Sequence, residues 1–130
     1  MKRSVMLTIA SLLSILLTTL HLADDIARGF ENGGVANLVA VPILVIWLYG
    51  TLVLAERRSG CIIIFLGSLL GTLVPIVHFR ATGGVVGGAI AQSRGAFFFV
   101  WTMIALGVTA LFSLVLSALE LWRLRRGQPR

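Results

Sequence analysis

The sequence predicts an all-α integral membrane protein: a four-helix transmembrane bundle, antiparallel and up-down, with both termini on the inner side. Three observations predict it. Charged residues make up 12% of the 130-residue chain and hydrophobic residues 58%, whereas soluble domains carry roughly 25% charged residues. The apolar residues fall in four runs, at 5–22, 38–54, 61–79 and 96–122, each near the ~20 residues that cross a bilayer. The charges gather between these runs and at the chain ends. A single transmembrane domain over 1–130 accounts for the whole length.

The first run, 5–22, follows Lys2 and Arg3 and rises roughly 27 Å as a helix. A basic start before an apolar run also describes a signal peptide. Cleavage before Asp24, however, would put His21 where a small residue is needed, and the run exceeds the usual ~7–15 residues. An uncleaved first span is the expectation. The loop that follows, 23–37, begins as an extension of the helix and stops at Gly29 or at Gly33-Gly34. Asp24 and Asp25 sit near a helix C-terminus, where the macrodipole disfavours carboxylates. Arg28, three and four residues on, is placed to offset that.

In the second run, 38–54, Pro42 falls in the first turns, where its missing N–H matters least. Gly50 and Thr51 are small enough for close helix approach. The charged turn Ala55-Glu56-Arg57-Arg58-Ser59-Gly60 is so short that the spans on either side must be antiparallel neighbours. The third run, 61–79, contains Gly67-Ser68-Leu69-Leu70-Gly71, a small-xxx-small seam for a partner helix. Pro75 should kink this helix just before His78.

Residues 80–95 hold Gly83-Gly84 and Gly87-Gly88. No Gly-Lys-Ser/Thr follows and no strand precedes, so a phosphate-binding loop is not indicated. The fourth run, 96–122, is longer than a span needs and must tilt or protrude. Phe97, Phe98, Phe99 and Trp101 mark one membrane interface and Trp122 the other.

Basic residues set the orientation. Eight of the eleven Lys and Arg lie on segments of one side: Lys2, Arg3, Arg57, Arg58, Arg123, Arg125, Arg126 and Arg130. Arg28, Arg80 and Arg94 lie on the other. The positive-inside rule makes the first side cytoplasmic and the protein a multi-pass component of the cell membrane. The net charge of +6 then serves topology and headgroup contact. Nucleic acid is not an expected partner, because no basic patch is interleaved with aromatics on a polar background.

Both histidines, His21 and His78, end spans that run outward, so they share the outer face with Asp24 and Asp25. Imidazole and carboxylate suit zinc, iron or copper, and His21 and Asp25 lie one helical turn apart. The sequence therefore offers a divalent-metal site of His21, Asp25 (or Asp24) and His78. A haem held by the two histidines would leave the carboxylates unexplained. The leading expectation remains a structural or partner-binding membrane protein, meeting lipid, a second copy or another membrane protein, with metal binding as the alternative.

A small transporter is the second alternative. Length and span count are similar to those of the small multidrug resistance transporters, which rely on a glutamate in the first span; 5–22 holds no carboxylate. The residues assign no enzymatic activity and leave the question open. The lone Cys61 excludes vitamin K epoxide reductase-type dithiol chemistry. The serines lie inside apolar runs, where hydroxyls bond their own backbone.

Overall fold

The computed structural model describes residues 3–29, 34–54, 56–80, 90 and 92–127. Lys2, Glu31, the glycines at 83–88 and Arg130 lie outside the described residues, as do the side chains of Arg3 and Arg80. Four α-helices account for nearly all of the described chain: α1 Arg3–Arg28, α2 Ala40–Leu52, α3 Arg58–Arg80 and α4 Ala96–Arg125. Three of them, α1, α3 and α4, are long and apolar enough to cross a membrane.

The helices alternate in direction. Ser68 meets Ser113, and a Cβ on Gly71 would meet Ala110 and one on Gly107 would meet Pro75, so α3 and α4 are antiparallel. Gly50 faces Ile63 and Gly67 faces Trp47, which makes α2 and α3 antiparallel. Leu7 packs on Ile64 near one end, and His21 meets His78 near the other, so α1 and α3 run parallel. The largest interface is α3 on α4, followed by α1 on α4.

The second run is corrected by the structure. Residues 38–54 are not one α-helix: Val35–Val39 form a 3-10 turn, and α2 has 13 residues, about 20 Å of rise against a hydrocarbon thickness of ~30 Å. Pro42 explains the late start. It has no N–H for the Leu38 carbonyl and its ring crowds that carbonyl, so Pro42 fits only in the first α-helical turn. At Pro75 the outcome differs, because α3 continues through it to Arg80. The proline ring is accommodated by Gly107 on α4, where an added Cβ would lie 2.9 Å from Pro75 Cγ.

Large apolar side chains such as Leu16, Val45, Leu66, Val77 and Val108 point outward. The interior combines apolar side chains such as Trp47, Ile64, Phe99, Met103 and Leu106 with small polar ones: Ser11, Ser14, Thr51, Ser68, Thr102, Ser113 and Ser117 are all buried. Close helix packing with hydrogen-bonded small residues is how helices associate where lipid removes the hydrophobic incentive. Some hydroxyls bond their own helix, as Ser14 does to the Ala10 carbonyl (2.8 Å) and Ser117 to that of Leu114 (2.9 Å). Others cross between helices. Ser68 donates to Ser113 at 2.8 Å. Trp47 Nε1 donates to Ser11 Oγ at 3.0 Å, and Ser11 and Thr51 share a hydrogen bond of 2.8 Å. Ser11, Ser68 and Ser113 thus add bonds between helices to the own-backbone bonding common for hydroxyls in apolar helices.

Candidate metal centre

Helix α1 buries a stripe at three- and four-residue spacing: Leu7, Ala10, Ser11 and Ser14. That period carries two turns further and brings His21 and Asp25 onto the same inner face, 3% and 4% exposed respectively. Asp24, about 100° around the helix from Asp25, faces elsewhere. Its Oδ2 accepts from Arg28 Nε at 2.8 Å, which removes Asp24 from the candidate ligand set.

His78 reaches the cluster from the last turn of α3. Its Nδ1 lies 2.9 Å from the Val74 carbonyl oxygen. A carbonyl only accepts, so Nδ1 carries the proton and, in the neutral ring, Nε2 presents its lone pair. Backbone carbonyls commonly orient metal-binding histidines in this way. His78 Nε2 stands 3.4 Å from Asp25 Oδ2, and His21 Nε2 stands 3.5 Å from the same oxygen. One donor from each of the three residues falls within 4.8 Å of the others. Neither ring nitrogen of His21 makes a hydrogen bond among the described residues.

The C-terminal ends of α1 and α3 both converge here, and each carries roughly half a negative charge from its macrodipole. Phe99 on α4 forms one wall, its ring centroid 4.9 Å from that of His21 and 5.7 Å from that of His78. The His78 side chain is 25% exposed, which leaves a route in from outside.

Arg28 pins the remaining side. Besides Asp24, it donates to Ser93 Oγ (3.1 Å) and to the carbonyls of Arg94 (2.7 Å) and Gly95 (2.9 Å). Its guanidinium also lies 5.7 Å from the Phe99 centroid. One side chain thus ties the end of α1 to the start of α4, where Gly95 holds the left-handed conformation (φ 75°) that glycine adopts without strain. Replacing Arg28 with Ala is expected to lower unfolding stability by about 1–3 kcal/mol, the range for charge-assisted bonds. It should also speed amide exchange at 93–96. Arg28→Lys should restore little, because an ammonium cannot span three acceptors as a planar fork does. Unchanged exchange in Arg28→Ala would refute the tie.

Two features here were not legible in the sequence. Phe99 was expected at the membrane interface with Phe97 and Phe98. It is fully buried, while its two neighbours are exposed. A phenylalanine triplet on a helix covers about 200°, so one member must face in, and the fold decides which. The reach of Arg28 to 93–95 crosses more than sixty residues of sequence and leaves no local signal.

No family model, curated protein or solved structure matches this chain. Fold and site define its class: a helical protein with membrane-length apolar helices and a cluster of a buried imidazole, a buried carboxylate and a half-buried imidazole close to metal-site geometry.

Proposed function

We propose that this is a multi-pass membrane protein that binds a divalent transition metal through His21, Asp25 and His78 at its outer face, with its termini in the cytoplasm. The observation that carries the proposal is the donor spacing. Two ligands on one tetrahedral ion at about 2.1 Å lie about 3.4 Å apart, and the two carboxylate–imidazole separations are 3.4 and 3.5 Å. The imidazole–imidazole pair, within 4.8 Å, must close to about the same 3.4 Å for the set to surround an ion.

Two histidines and one carboxylate form the protein part of many zinc and non-haem iron sites, which keep further positions open for water or substrate. The set therefore suits zinc or iron, and accommodates copper. It favours a bare ion over haem. The two imidazoles touch edge to face at 4.9 Å between centroids, and Asp25 Oδ2 lies against both, which leaves no plane for a porphyrin.

Elemental analysis of the purified protein tests this. The wild type is expected to hold about one equivalent of zinc, iron or copper, and His21→Ala and His78→Ala should each lose it. Metal that persists in either variant, or a wild type that takes up none of the three when supplied, refutes the proposal.

A further inference from the structure

At the opposite end, helices α3 and α4 frame a groove of about 340 Å³, lined by Arg58, Ile62, Phe65, Leu121, Trp122 and Arg125. Ala118, exposed, also lines it. Two exposed arginines flank the mouth and apolar side chains line the rest. From Arg58 to Phe65 the helix advances about 10 Å, so the groove descends well below the plane of the arginines. Arg126 stacks over the Trp122 ring at 3.8 Å, which fixes the indole as one wall.

The sequence at this end holds Arg57, Arg58, Arg123, Arg125 and Arg126 against Glu56 and the buried Glu120. An occupant must be anionic at one end and apolar along its body. We infer that this groove binds one anionic glycerophospholipid, its headgroup phosphate between Arg58 and Arg125 and the start of an acyl chain against Ile62, Phe65 and Trp122. Guanidinium groups pair with phosphate through two parallel N–H bonds, and basic pockets between membrane helices select acidic headgroups. The inference rests on the membrane reading and not on the metal, since the two sites occupy opposite ends of the helices.

Native mass spectrometry in detergent tests it, with phosphatidylglycerol and phosphatidylcholine supplied in equal amounts. The wild type is expected to retain one phosphatidylglycerol with about tenfold preference over phosphatidylcholine. The double variant Arg58→Gln/Arg125→Gln should lose the preference, while Arg94→Gln, at the other end, should keep it. Ala118→Phe fills the groove with both arginines intact and should also lose the lipid. Equal retention of the two lipids, or retention unchanged in either groove variant, overturns the inference. So does displacement by millimolar inorganic phosphate, which would show that the arginines hold a free anion without the chain. All four proteins should melt alike without lipid, since the altered side chains are exposed.

Discussion

If the cluster holds the proposed metal, stripping it with a chelator is expected to lower the stability of the wild-type protein by about 4 kcal/mol when free metal had been held near a thousand times its dissociation constant. The same treatment should leave Asp25→Ala unmoved. The reason lies in what Asp25 does. Its Oδ2 is the shared neighbour of both imidazole nitrogens, and it supplies the one anionic donor of the three. Without it, two neutral imidazoles on different helices remain, a set too weak to hold a hard or borderline ion against water.

Acid should act in the same direction as chelation. Ligand imidazoles must be unprotonated, so protons compete with the ion and metal is released as the pH falls. Thermal unfolding in detergent, with and without chelator and with zinc, iron or copper returned, reads both effects. A melting profile indifferent to chelator and to added metal would return the cluster to a polar contact of Asp25 with the two imidazoles, a helix-end device and no more.

Much of this site could be read in the chain, and the limits are instructive. His21 and Asp25 lie on one face because helical spacing demands it, and the buried stripe of α1 runs on through them. That His78 shares their end follows from helices that alternate in direction, with α1 and α3 running the same way. That His78 touches them does not follow. The contact between α1 and α3 is smaller than either makes with α4, and Trp47 of α2 links the two, bonded to Ser11 and packed on Gly67.

Asp24 and Asp25 are adjacent letters with opposite fates, decided by about 100° of rotation and by Arg28. The second apolar run read as a full-length span because hydropathy does not register a missing N–H; Pro42 does its work on the backbone. Gly67 and Gly71 signalled a close approach without saying of what. The answer is Trp47 for the first, and Ala110 with Trp47 for the second.

Those glycines support a graded prediction. Alanine is favoured over glycine inside a helix by about 1 kcal/mol, so Gly→Ala should stabilise wherever a methyl fits. At Gly71 the added carbon would meet Ala110 Cβ at 3.1 Å and Trp47 Cη2 at 3.4 Å. A shift of a few tenths of an ångström relieves both, and the net effect should be near zero.

At Gly67 the added carbon overlaps the Trp47 ring, 2.6 Å from Cε2 and 2.7 Å from Cγ. That ring cannot retreat: it is 3% exposed and its Nε1 is bonded to Ser11. Overpacking of this kind costs about 1–3 kcal/mol, enough to overwhelm the propensity gain. At Gly60 the methyl would run into the Leu54 carbonyl and lie 2.9 Å from the Gly50 carbonyl oxygen. Both obstacles are backbone, and Leu54 O already accepts from Arg57 N–H at 2.8 Å. The turn joining α2 to α3 would have to reopen, and the loss should exceed that at Gly67.

Unfolding free energies in detergent should therefore fall in the order Gly71→Ala, Gly67→Ala, Gly60→Ala. Combining Gly67→Ala with Trp47→Ala should recover part of the Gly67 penalty, as a coupled pair requires. The same partner change should do nothing for Gly60→Ala. A flat series, or equal rescue of both, would mean that the helices relax apart freely and that the tight seam is not what aligns α1 and α3 at the site.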